Sequence, residues 1–144
     1  MIEILGYSEK NVNYEVEYNK SINVINIETE LMNDDCIPYR ESTGFMIWLD
    51  NDMLLGEMEC ISPIISEIGL CKDNIAIDDN GTPLLKIQFE EKSVGLHITE
   101  DKLTIIIDNE KEIEKKSISS NIVFYLNDNK VIALECSDFK IADE

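Results

Sequence analysis

Asp50-Asn51-Asp52, Glu57 and Glu59 crowd into one stretch, MIWLDNDMLLGEMEC (residues 46–60), and acids this close suggest two kinds of chemistry. A calcium ion takes about six to eight oxygens from a loop rich in acids, usually Asp-x-Asp-x-Asp-Gly with a distal Glu. Here only two acids, Asp50 and Asp52, precede Met53, and Asn and Asp are also what tight turns need for their backbone angles. The corner is therefore read as a turn, and no metal is assigned. Glu57 and Glu59 stand two apart, so on a strand they share a side and repel, and one could be held protonated as an acid catalyst. Leu54, Gly56, Met58 and Cys60 make the opposite, apolar side, which turns both glutamates toward water. A solvated face is the plain reading of the pair, and a structural or interface role is the second.

The other reactive side chains are isolated. His97 is the only histidine; it alternates with Val94, Leu96 and Ile98 and so points away from their apolar side. No Ser-His-Asp or Cys-His arrangement surrounds it. Cys36, Cys60, Cys71 and Cys136 lack the close pairing that structural zinc sites use, and they sit among apolar residues, so buried reduced thiols are expected. Glycines are scattered and form no phosphate-binding loop. Trp48 lies in an apolar run, where it packs in a core or at an interface. No catalytic residue, metal or cofactor is assigned.

The elements that would carry these side chains are short. YEVEYN, SINVINI, FMIWL, LLKIQFE, SVGLHIT, KLTIIID, IVFYL and KVIALEC are short runs rich in Val, Ile, Phe and Tyr, in which a period of two dominates. They are joined by clusters such as Asp79-Asn80-Gly81 and Asn127-Asp128-Asn129. That pattern predicts a mainly β protein of antiparallel hairpins. One short helix is predicted near 63–68, where Ser62 can cap, Pro63 fits the first turn and Gly69 can end it.

The chain also matches itself. VFYLNDNKVIALEC (123–136) lines up with the opening stretch: Trp48 falls on Tyr125, Asp50-Asn51-Asp52 on Asn127-Asp128-Asn129, and Gly56 on Ala133. After a one-residue gap at Glu57, Glu59 falls on Glu135 and Cys60 on Cys136. One extra residue in a strand suggests a β-bulge beside Gly56. Upstream, YEVEYNKSINVINI (14–27) lines up with LKIQFEEKSVGLHI (85–98), placing Val16 on Ile87 and Val24 on Leu96. Two matches in the same order predict a duplicated module, 12–62 and 83–138. The linker 63–82 joins them in one compact unit, about a pseudo-twofold.

Each half resembles a small bacterial β module known only as a domain of unknown function. Its pattern opens on Tyr-Asp, passes through Leu-Tyr-Ile and closes on a hairpin ending Gly-Ile-Glu-Ile. Tyr18-Asn19 and Gly56-Glu57-Met58-Glu59-Cys60 are similar to the start and the close. Phe89-Glu90, Val94-Gly95-Leu96 and Ala133-Leu134-Glu135-Cys136 take the corresponding places in the second half. Ser21 and Ser93 stand where the pattern has Asp, and Asn23 and Gly95 where it has Tyr. The resemblance implies a β fold and no particular activity.

Charge bounds the partners. Thirty acids against twelve bases in 144 residues give a net charge of -18 at pH 7, spread along both halves. Nucleic acid and anionic lipid, which need clustered Lys and Arg, are disfavoured. A basic protein partner suits the field, although acidity alone also serves solubility. Absence of a long apolar run or a charged leader predicts a soluble, cytoplasmic protein. The segments 28–43 and 99–120 differ between the halves, and differing loops are where specificity is added or where sequence simply drifts. The expected function is a non-enzymatic protein-binding module, an acidic inhibitor or immunity-type protein. Asp34, Asp35, Asp50 and Asp52 are expected at the contact. A self-associating structural domain, such as a homodimer, is the alternative.

Overall fold

A computed structural model of the chain describes residues 1–70, 75–77 and 81–142. Among these residues fifteen strands follow one another. The first seven are β1 (Ile2–Ser8), β2 (Glu15–Asn19), β3 (Val24–Glu28), β4 (Ile37–Ser42), β5 (Phe45–Leu49), β6 (Leu55–Ile61) and β7 (Ile64–Ile65). Then come β8 (Ala76–Ile77), β9 (Thr82–Ile87), β10 (Gly95–Ile98), β11 (Leu103–Ile106) and β12 (Lys115–Ser119). The last three are β13 (Ile122–Asn127), β14 (Lys130–Cys136) and β15 (Lys140–Ala142). No helix occurs among the described residues. The mainly β class read from the alternating runs is the one observed.

The strands form two sheets. Sheet A has nine strands in the order β7-β10-β11-β14-β13-β12-β8, with β1 joining β14 to β9; sheet B has six in the order β15-β2-β3-β6-β5-β4. Within them, β10-β11-β14-β13-β12 and β2-β3-β6-β5-β4 are one order with two sets of strands. Both closing hairpins carry a bulge at the same place: Gly56 is the extra residue opposite Trp48 and Leu49, and Ile132 is the extra residue opposite Tyr125 and Leu126. Each bulge carbonyl takes the N–H just beyond the neighbouring strand, Thr29 N to Gly56 O at 2.9 Å and Ile107 N to Ile132 O at 2.8 Å. The residue that differs in number therefore lies in the turn, 50–54 against 127–130, and not in the strand. By place in the sheet, Val16 answers to Leu96, and the upstream alignment of Val16 with Ile87 is displaced by one strand. Alternating strands look alike in any register, so pattern alone does not fix the match.

The two runs also lock together. β7 leaves the first run and pairs in parallel with β10 of the second; β15 leaves the second run and pairs in parallel with β2 of the first. β1 and β9, which precede the two runs, pair antiparallel with Ile4 opposite Leu85. Around that pair, Ile4 N bonds Asn129 O at 2.8 Å and Leu85 N bonds Met53 O at 2.9 Å, so each strand reaches the closing turn of the other run.

The helix expected near 63–68 is absent, and β7 takes its place. Ser62 has φ 55 and gives its N–H to Asn23 O instead of capping a turn. Asn23 Nδ2 holds Pro63 O at 3.0 Å, and the N–H groups of Ile64 and Ser66 go to Val94 O and Leu96 O. An extended edge that satisfies these groups outcompetes a single helical turn with no core face of its own. Cys71 and the Asp79-Asn80 part of the expected turn lie outside the described residues.

One core lies between the sheets. Phe45, Ile47, Ile25, Ile27 and Met58 come from sheet B, and Leu96, Leu103, Ile105, Phe124 and Leu134 from sheet A. Tyr14 bridges them: its ring meets Phe124 edge to face at 6.5 Å, and its hydroxyl shares a 2.9 Å hydrogen bond with Ser119. Inward positions fill this core, so every second residue of each strand is delivered to an outer face.

Candidate functional site

The outer face of sheet B gathers glutamates that are scattered in sequence. Registration puts Glu15 opposite Glu28, Glu28 opposite Glu57, and Glu57 opposite Trp48, which faces Pro38. The next row, two residues along, runs Glu17, Asn26, Glu59, Met46 and Arg40, with Lys140 of β15 beside Glu17. Directly paired residues have Cβ atoms about 5 Å apart, so the three glutamates of the first row stand side by side. Glu15, Glu17 and Glu28 are exposed, while Glu57, Glu59 and Trp48 are partly buried. Asn26 Nδ2 donates to Glu57 Oε2 at 3.0 Å, which relieves part of the repulsion in the row. Arg40, at the far end, lies 5.2 Å from the Phe89 ring centroid.

Asp34, Asp35, Asp50 and Asp52 all lie at the end of sheet B where β3 finishes and β6 begins, next to the Glu15-Glu28-Glu57 row. Asp34 and Asp35 are exposed in the loop between β3 and β4. Asp50 is a turn residue: its Oδ1 accepts Asp52 N and Leu54 N, both at 2.9 Å, while Met53 takes φ 66. Asp52 is exposed at the tip. The four aspartates thus share one rim, but the larger acidic surface is the glutamate face beside it. Its signal was present in the sequence, since Glu15, Glu17 and Glu28 all fall on polar positions of alternating runs. The pairing order that lines them up with Glu57 and Glu59 was not.

The remaining candidates are structural in setting. Glu41, fully buried, binds the Met1 amine at 2.5 Å and also Lys92 Nζ through the same oxygen; its Oε1 has no hydrogen-bond partner among the described residues. Beside it, Lys92 and Cys60 line a cleft of about 400 Å³. Burial, with the Glu41 charge adding to it, pushes the Cys60 thiol up to about 12, so it stays protonated and weakly nucleophilic at neutral pH. Cys36 and Cys136 are likewise free and buried. Among the described residues no group of three or more His, Cys, Asp or Glu is placed to hold a metal ion. None of their helices is long and apolar enough to cross a membrane.

The equivalent face of sheet A is closed. Tyr125, Ala133, Thr104 and Glu135, which hold the places of Trp48, Glu57, Asn26 and Glu59, are at most 5% exposed. Tyr125 OH donates to Glu135 Oε1 at 3.1 Å, and Lys102 Nζ lies 4.0 Å from the same oxygen. His97, in the place of Glu17, donates from Nδ1 to Ser66 O at 2.9 Å, and its ring lies against Gly69. No protein-family model and no curated protein matches the chain, which leaves these two faces, one open and one closed, to speak for its function.

Proposed function

We propose that this protein is a cytoplasmic binding module that docks a basic protein on the open face of sheet B. It would act as an acidic inhibitor or immunity-type protein that masks its partner. The observation that carries the reading is the row Glu15-Glu28-Glu57, three like charges directly opposite one another on adjacent strands. Like charges so placed destabilise a sheet, whereas the same negative charge spread over loops would serve solubility without that cost. A row of lysines or arginines arriving from a partner turns the repulsion into attraction and speeds encounter. Asp34, Asp35 and Asp52 extend the field at the rim, and Trp48 and Met46 offer apolar contact beside it.

The test is affinity capture with the wild type and with a variant carrying Gln at Glu15, Glu17, Glu28, Glu57 and Glu59. The expected result is a basic protein held by the wild type, released by moderate salt and absent from the variant. Capture of the same proteins by both, or of no basic protein, would sink the proposal. A second reading, self-association, is favoured by Ile64, Ile65 and Ile68 at the β7 edge, which are 59%, 57% and 80% exposed. A monomeric mass at high concentration in sedimentation removes it.

A further inference from the structure

We infer that a second copy of this chain docks at the free side of β7, pairing edge to edge with it about a twofold axis. This goes beyond the basic-partner reading and uses a different sheet; it rests on the self-association reading, to which it gives a surface. β7 is a terminal strand of sheet A and pairs in parallel with β10. Ile64 and Ser66 give their N–H groups to Val94 O and Leu96 O. Backbone groups alternate sides along a strand, so Ile65 turns its N–H and C=O the other way, where no strand pairs among the described residues. Such an edge is a template for another strand unless something blocks it.

The edges of sheet B are blocked. β4 carries Pro38, and its Glu41 O already accepts Glu90 N at 2.9 Å; β15, at the other end, opens on Lys140. β7 carries no charge, and Ile64, Ile65 and the nearby Ile68 are each more than half exposed. Beside it lies a groove of about 820 Å³ with apolar walls of Ile64, Ile65, Ile68, Ile106 and Ile113. Gly95, registered between Ile64 and Ile106, adds no side chain to fill it. The groove's charges favour a second copy over a basic partner. Lys111 stands there against Asp108 and Glu112, a far smaller acidic excess than the glutamate rows of sheet B hold. The edge also suits itself. Ile65 set antiparallel to its own mate exchanges both N–H···O bonds, so each copy donates and accepts equally. Pro63, two residues earlier on the same side, has no N–H to give, and by symmetry it bounds the ladder at both ends. The pairing is therefore short and closed, and the isoleucines supply most of the contact.

Sedimentation equilibrium of the full chain tests this with two variants. Ile65→Pro removes the outward N–H and spares the bonds to β10, and Ile68→Asp charges an exposed isoleucine of the patch. The expected result is a mass that moves from one chain to two as concentration rises. Each variant should dimerise at least tenfold more weakly while keeping the wild-type circular dichroism spectrum. Added salt should tighten the dimer, because chains of net charge -18 repel, whereas salt releases a basic protein from the glutamate face. The variant with Gln at Glu15, Glu17, Glu28, Glu57 and Glu59 should dimerise at least as well as the wild type. A dimer undiminished in both β7 variants overturns the inference and leaves self-association standing at another surface. A single-chain mass throughout overturns the inference together with the self-association reading, and leaves the basic-partner reading to its own capture test. A dimer lost in the Gln variant moves the contact to sheet B and overturns the inference. Masses beyond two chains overturn the closed twofold.

Discussion

Asp50 and Asp52 stand two residues apart and do different things. Asp50 Oδ1 accepts two backbone N–H groups and so sets the turn, whereas Asp52 points to solvent. Asp50→Ala should lower stability by about 1–2 kcal/mol, the usual effect of leaving such donors unmet, and Asp52→Ala by less than about 0.5 kcal/mol. Chemical denaturation of both variants checks this, and equal effects would contradict the division of roles. Burial acts on other side chains in a way that pH reveals. It pushes Tyr14 and Cys60 each up to about 12. Raised values mean that the folded state keeps protons the unfolded chain has lost. Their contribution is therefore complete below the unfolded values and fades as pH rises through the folded ones. Stability should fall from roughly pH 9 upward, reaching its lowest level near pH 12. In the same way Cys60 and Cys136 should resist iodoacetamide near pH 8 in the native protein and react fully in denaturant; rapid native alkylation of either would refute their burial.

The open face of sheet B makes a prediction of opposite sign. Glu28 lies between Glu15 and Glu57 in one row, so Glu28→Gln should raise stability by about 0.5 kcal/mol, and added salt should do the same for the wild type. A destabilised variant would mean that Glu28 is held by interactions other than repulsion. Much of this element was legible in the sequence. The alternating runs gave the strands, and the match of Trp48 with Tyr125 and of Cys60 with Cys136 found the two hairpins, but the bulge was expected in the first alone, from an excess residue that lies in the turn, whereas both hairpins carry one. Three features were not legible, each for a physical reason. A period of two cannot distinguish one alternating strand from the next, so Val16 was set against Ile87. The Ser62-Pro63 pair carries a helix-start signal, but Asn23 takes Ser62 N and Pro63 O, a contact 40 residues distant from Pro63. Strand order is a tertiary property, so the five glutamates could be read as outward but not as neighbours.

The whole molecule is held by exchange between its two runs of strands. β7 completes the sheet of the second run, β15 that of the first, and β1 pairs with β9 between them. This reciprocal scheme joins two runs that share a strand order and a bulge site. It implies that the covalent link between the runs is dispensable once the chain has folded. A protease site engineered within residues 71–74, cut in the native protein, should leave both fragments together at the intact size in gel filtration; separation without denaturant would contradict the interlock. On the same scale, one sheet has a closed outer face and the other an open, acidic one, which is proposed to meet a basic partner. Carbodiimide labelling of carboxylates, read by mass spectrometry with and without the captured partner, tests that claim most directly. The expected result is protection of Glu15, Glu17, Glu28, Glu57 and Glu59, with Glu100, Asp101 and Glu110 of sheet A's loops unchanged. Protection confined to those loops, or none at the five glutamates, would contradict it.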